Sequence, residues 1–268
     1  MIQNYHRPVD LKEAAAMKAA DSEAVYLAGG TQVNRAPLDR ELPKSVIDLR
    51  DAVPSKINTE GTDLVIGAMA SLQDIHDDER VPLPLRNAAG FIPTRSVRNQ
   101  ATIGGNIGAG RSDSYIIPTL IALDAVARTT EGNIRVEEYV SGNHQELILD
   151  IHVPVPVGAC IAVKESRSHL ALPVVSAAVS LTAEDASPED GPTGACVAVG
   201  CVAKKTIRLT EVEEGIVSGR LVDRADLEEA IRNAVSPRTD ILGSAEFKKH
   251  VNGVVIADAV VRCLEELS

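Results

Sequence analysis

Apolar positions in this chain fall in short blocks separated by turn residues. Residues 10–20, DLKEAAAMKAA, set strong helix formers behind an Asp that can cap them, and predict a helix. AVYLAGG (24–30) predicts a short strand ending in a glycine turn, and a short helix from Thr31 is broken by Pro37. SVIDLRD (45–51) predicts a second strand, so the first fifty residues form one small αβ unit. DLVIGAMASLQDI (63–75) reads as a strand and then a helix that Ser71 can cap. A helix is predicted at 83–91, and then an extended polar stretch over 93–100. IIPTLIALDAVA (116–127) reads as helix and then strand. Pro118 is tolerated only in a first helical turn, which sets the helix start near Ser114 to Ile116. ELILDIHVPVP (146–156) predicts a closing strand, with a domain boundary near 155–160.

The pattern then changes. CIAVKESR (160–167), PVVSAAVSLTAE (173–184) and ACVAVGCVA (195–203) predict an antiparallel meander of three strands, the last two joined by an acidic Pro/Gly-rich turn at 185–194. Two helices follow, at 224–235 and 247–267, the second with an internal Gly253.

Composition narrows the function classes. The 268 residues are 44% hydrophobic, enough for a sizeable core. A net charge of −11 argues against a nucleic-acid surface. The N-terminus lacks the apolar core of a signal peptide, and no apolar run approaches the roughly 20 residues of a membrane span. The chain is expected to be cytoplasmic. Cys160, Cys196, Cys201 and Cys263 form no Cys-x-x-Cys pair and read as buried free thiols. Their spacing does not suit an iron–sulfur cluster. The six histidines are scattered, without an i, i+4 metal-ligand pair, and read as surface or local hydrogen-bonding residues.

Two glycine pairs carry the candidate chemistry: Leu27-Ala28-Gly29-Gly30-Thr31 and Thr102-Ile103-Gly104-Gly105-Asn106. Each is expected to form a tight bend whose bare backbone N–H groups can approach an anion, with a Thr hydroxyl as a further donor. Together they suggest two walls of a site for a diphosphate-bearing cofactor. Neither is a Gly-x-Gly-x-x-Gly fingerprint or a phosphate loop with Gly-Lys-Ser/Thr.

The surroundings of these pairs are more specific. RPVDLKEA…AGGT, VRNQATIGGNI…P…LIALDA and KESRSHLALPVVSAAVSL, closed by FKKHVNGVVIADAV, resemble the FAD-binding subunit of molybdenum hydroxylases, the flavoprotein family of xanthine dehydrogenase and carbon monoxide dehydrogenase. The resemblance covers essentially the whole chain in order. It implies an α+β fold: a PCMH-type, vanillyl-alcohol-oxidase-like FAD-binding domain (1–157, subdomains about 1–53 and 54–157), then a small α+β domain (158–268) with a three-stranded antiparallel sheet and helices. FAD would lie extended between the subdomains. Tyr26, Leu27, Ala28, Gly29, Gly30, Thr31, Gln32 and Val33 would line the pyrophosphate on one side. Thr102, Ile103, Gly104, Gly105 and Asn106 would line it on the other. Ile148 would touch the cofactor from the closing strand, Ser114 and Tyr115 from the loop before Pro118, and Lys164 from the first strand of the last domain.

The resemblance also implies an electron-transfer role. A molybdopterin-binding partner would oxidise a purine or other N-heterocycle. The [2Fe–2S] clusters of a second, ferredoxin-like partner would pass electrons through FAD to NAD(P)⁺ or another acceptor. No catalytic side chain and no metal ligand is expected here. A stand-alone flavin oxidoreductase and a non-catalytic structural subunit that has lost FAD are the competing readings. One departure stands out. The family carries an Asp three residues before the loop proline; here that position is Tyr115, with Asp113 displaced by two. Arg111 is also unusual in a loop of small residues. With aromatics at 2% of the chain, Tyr115 is the best aromatic candidate for the flavin.

Overall fold

The computed structural model describes residues 2–33, 42–142, 144, 146–183 and 191–267. The helix expected from Thr31 starts instead as a turn over residues 31–33, and the rest of it up to Pro37, like most of the acidic turn at 185–194, lies outside the described residues.

Three sheets organise the chain. The first is parallel: β1 (Asn4–His6) and β2 (Val25–Leu27) flank β3 (Ser45–Asp48), with α1 (Leu11–Ala20) connecting β1 to β2. Asp10 caps α1, its carboxylate accepting from the Glu13 amide at 2.8 Å. β3 is buried at every position. Its Asp48 stays satisfied because the Tyr5 hydroxyl and the Arg50 amide both donate to it.

The second sheet is antiparallel, in the order β4 (Ile57–Glu60), β5 (Asp63–Gly67), β8 (Ile148–Val153), β6 (Val126–Thr129), β7 (Gly132–Arg135). Between β5 and β6 run α2 (Leu72–Asp77), α3 (Leu83–Gly90), α4 (Arg95–Gln100), α5 (Ile103–Ala109) and α6 (Ile116–Ala122); α7 (Val136–Ser141) precedes β8. Ser71 and Asp74 close a capping box on α2. The stretch 93–100, expected to be extended, is instead largely the helix α4. The Arg98 guanidinium anchors it to Gln73 Oε1 at 2.8 Å and to the Ile92 carbonyl at 2.6 Å. This long-range pairing outweighs the weak local preference of a polar stretch without apolar periodicity.

The third sheet has the order β12 (Ile207–Arg208), β11 (Gly194–Gly200), β10 (Pro173–Thr182), β9 (Ala159–Ser166), all antiparallel. It gains a fourth, two-residue strand beyond the three-strand meander. Helices α8 (Thr210–Val217), α9 (Arg224–Ala234) and α10 (Ala245–Leu267) follow. α8 went unpredicted because its inner face carries Glu213. That buried carboxylate is held by Arg208 (2.7 and 3.0 Å) and by the Val197 amide at 2.8 Å.

β10 gives this sheet two unlike faces. Val175, Ala177, Val179 and Leu181 share a core with Ile256, Val260 and Cys263 of α10. Ser176, Ala178 and Ser180 alternate with them onto the other face. In register beside those three stand Lys164, Ala162 and Cys160 on β9, and Gly200, Ala198 and Cys196 on β11. This face of mostly small residues receives α6, every residue of which is buried. Among the described residues no helix is long and apolar enough to cross a membrane.

Candidate functional site

The fold brings the two glycine segments together. Gly29, just past β2, packs directly on the carbonyl of Gln100 at the end of α4, where a Cβ would overlap it. A Cβ on Gly105 would lie 3.4 Å from Ala28 Cβ. Gly30 has φ of 70°, the left-handed region that favours glycine. The N–H groups of Ala28, Gly29, Gly30 and Thr31 donate to no backbone or side-chain acceptor among the described residues. They form a partly exposed row of donors.

The second segment differs from its expectation. Thr102 caps α5, and Gly104 and Gly105 lie in that helix's first turn, not in a bend. Its amides are already occupied: Ile103 donates to Ala70 O at 3.1 Å, Gly104 to Ala68 O at 2.9 Å and Gly105 to Thr102 Oγ1 at 3.2 Å. The glycines serve close packing here, since a Cβ on Gly104 would lie 2.6 Å from Ala68 Cβ. The bare amides expected of this segment are therefore absent, and its polar contribution passes to the Asn106 side chain.

Hydrogen-bond accounting fixes how Asn106 points. Ser114 Oγ accepts from the amides of Ile116 and Ile117, both at 3.1 Å. Its own proton must then donate, and it meets Asn106 Oδ1 at 2.6 Å. The oxygen of Asn106 is thereby consumed, and its Nδ2 group, a pure donor, faces away from Ser114. No described residue accepts from it. Unpaired backbone amides, and a side-chain amide group without an acceptor among the described residues, are each donors of the kind that suits an anion.

Tyr115 and Lys164 form a second group. The Tyr115 ring meets Phe91 edge-on, with centroids 5.6 Å apart at 79°. Lys164 Nζ lies 5.5 Å from the Phe91 ring and 5.8 Å from the Tyr115 ring, and donates to the Phe91 carbonyl at 3.1 Å. Burial pushes the Tyr115 phenol up to about 12, so it stays protonated. Arg111 and Asp113 engage each other in a two-pronged ion pair of 2.6 and 2.7 Å. They line a cleft of roughly 470 Å³ with Cys201, Lys204, Asp240 and Lys248. Ile148 is 4% exposed, its side chain within the core around the second sheet. Leu149, next to it, accepts the Ala68 amide through its carbonyl at 2.9 Å. Phe91 and Ser176 were not singled out from the sequence. Phe91 left only its place among scarce aromatics, and Ser176 gave no local signal.

Two family comparisons agree with this architecture. Residues 1–156 match the FAD binding domain in molybdopterin dehydrogenase, and residues 162–263 match the CO dehydrogenase flavoprotein C-terminal domain. The chain belongs to the flavoprotein family of the molybdenum hydroxylases: it is an FAD-binding oxidoreductase subunit of α+β fold. It is 36% identical to the uncharacterized protein YgfM of Escherichia coli (strain K12), over 98% of this chain and 97% of that one. It is 29% identical to the carbon monoxide dehydrogenase medium chain of Afipia carboxidovorans, over 97% of this chain and 96% of that one. The crystal structure of the Cu,Mo-CO dehydrogenase in its cyanide-inactivated form contains a chain that superposes with a TM-score of 0.85 at 25% identity, covering 99% of both chains.

Proposed function

We propose that this chain is the electron-transfer subunit of a xanthine dehydrogenase-like molybdenum hydroxylase. Electrons would enter from the [2Fe–2S] clusters of a ferredoxin-like partner, fed by a molybdopterin-binding partner that oxidises a purine or other N-heterocycle. They would leave to NAD(P)⁺ or another acceptor. The flavin, when bound, can exchange electrons singly and in pairs. Substrate chemistry belongs to the partner in this reading.

The observation that carries the proposal is the close packing of the Ala28–Thr31 segment, whose amides have no acceptor among the described residues, on the start of α5 at Gly105, next to Asn106 with its oxygen held by Ser114. Within this arrangement Tyr26–Val33 and Thr102–Asn106 hold the cofactor's diphosphate, with the amides supplying the donors on one wall only. Ser114 orients Asn106. Tyr115 and Lys164 face the flavin end, where the Lys164 cation favours added negative charge. Ile148 supports the site from the buried start of β8. We place the domain division at 157/158, between β8 and β9. The four free thiols fit a reducing cytoplasm.

The test is Asn106→Asp in the purified chain, followed by visible absorbance on titration with FAD. A carboxylate facing a diphosphate should weaken uptake at least about tenfold by like-charge repulsion while leaving the thermal midpoint near wild type. Unchanged affinity would remove Asn106 from the site. Turnover of an organic substrate by the isolated chain would favour a stand-alone oxidoreductase.

A further inference from the structure

The carbonyl just ahead of the N-cap of α6 is paired by the C-terminal domain. In a regular helix the carbonyl of Ser114 would accept from the amide four residues on, but that residue is Pro118, which has no N–H. The fully buried Ser176 hydroxyl, on β10, donates to the Ser114 carbonyl at 2.6 Å instead. Beside Ser176 in the same row, Gly200 lets β11 approach the Ser112 carbonyl, and the Cys201 amide donates to that carbonyl at 2.8 Å. At the far end of α6, Ser180 makes a parallel bond to the Ala122 carbonyl at 2.7 Å. Both serines therefore dock the C-terminal sheet onto α6, yet only Ser176 grips the residue whose hydroxyl sets Asn106.

We propose that Ser176 is a positioning residue for the FAD site, acting across the domain boundary through Ser114 and Asn106. The inference rests on the diphosphate reading of Asn106 given above. Ser176 fixes the Ser114 backbone, which fixes the Ser114 hydroxyl between its two amide donors and Asn106 Oδ1. That contact holds the Asn106 donor group toward the cofactor. The C-terminal domain thus tunes a site that it does not touch through Ser176 itself.

A double-mutant cycle on the full chain tests this, read as the dissociation constant for FAD. Ser176→Ala should weaken FAD about three- to tenfold, the scale of one lost buried hydrogen bond. In an Asn106→Ala background the same change should have no further effect, because its route is already cut. Ser180→Ala removes an equivalent docking bond and should change FAD affinity less than about twofold in either background. Ser176→Cys keeps the size with a weaker donor, and should fall between wild type and Ser176→Ala; it serves if the alanine variant does not fold. Additive effects of Ser176 and Asn106, or equal effects of Ser176 and Ser180, would overturn the positioning role. If Asn106→Ala itself leaves FAD affinity unchanged, the underlying reading of Asn106 fails and this inference with it.

Discussion

The amide of Gly104 donates to the Ala68 carbonyl at 2.9 Å, and the space for a side chain at Gly104 is filled by Ala68 itself. The start of α5 is thus pressed onto the chain leaving β5. Gly104→Ala should destabilise the protein by about 1–3 kcal/mol through overpacking. Gly108, in the same helix, has open space where its Cβ would stand. Gly108→Ala should be neutral or stabilising by up to about 1 kcal/mol, from helix propensity alone. Urea denaturation of the two variants checks the contrast, and equal effects would contradict the packing assigned here. Loss of FAD in a Gly104→Val protein would accordingly report packing before it reported phosphate contact.

Glu213 ties three elements together, since it binds Arg208 and the Val197 amide from α8. Glu213→Ala would leave a half-buried guanidinium with Glu137, at 3.3 Å, as its one remaining ionic partner among the described residues. The expected cost is about 3–5 kcal/mol, as for breaking other buried pairs from one side. Glu213→Gln keeps an acceptor for the Val197 amide and should cost less. Chemical denaturation of both variants decides the point, and a Glu213→Ala protein as stable as wild type would show that the pair is dispensable.

Lys164 Nζ sits beside Tyr115, clamped by the Phe91 carbonyl and two rings. If Tyr115 faces the flavin, Lys164→Met removes a cation that stabilises the reduced, more negative cofactor. The two-electron midpoint potential should fall by about 30 mV for each 1.4 kcal/mol of stabilisation lost. Spectroelectrochemistry of the FAD-loaded chain measures it. An unchanged potential would leave Lys164 a purely packing role between Phe91 and Tyr115.

Local signals in the sequence reached most of the regular elements. Asp10 and Ser71 announced their helices as caps, and Pro118 placed the start of α6 within two residues. The alternation along β10 was readable as a strand, though not which face would meet α6. What escaped depended on distant partners. α4 forms around Arg98 and its contacts with Gln73 and Ile92. The glycines of Thr102–Asn106 signalled a bare-amide bend, but the Ala68 and Ala70 carbonyls that consume those amides arrive from the end of β5. The fold-defining motifs were therefore legible, while the chemical inequality of the two walls was not. That inequality is a property of hydrogen-bond partners brought together by tertiary contact.

The four thiols, Cys263 buried and Cys160, Cys196 and Cys201 only partly so rather than all buried as the sequence suggests, supply a pH dependence with a definite sign. Burial pushes Cys196, Cys201 and Cys263 up to about 12 from an ordinary 9.0, and raises Cys160 as well. Their sulfurs rest against backbone carbonyls: Cys196 near Ile121 O at 3.9 Å, Cys201 near Ser112 O at 3.7 Å, Cys263 near Val179 O at 3.6 Å. An acceptor oxygen beside the sulfur favours the protonated thiol. Tyr115 and Tyr139 are likewise raised to about 12 from 10.0 by burial. Above pH 9 the unfolded chain loses these protons before the folded one does, so stability must fall as pH rises. The contribution is whole below pH 9, where both states keep the thiols protonated, and drains away between about 9 and 12. Denaturation midpoints should therefore decline steadily across that window. At pH 8 the native protein should react slowly with a thiol-specific disulfide reagent, while the urea-unfolded chain titrates all four cysteines at once. Rapid labelling of native Cys201, the thiol lining the 470 Å³ cleft, would contradict its protonated, carbonyl-backed state.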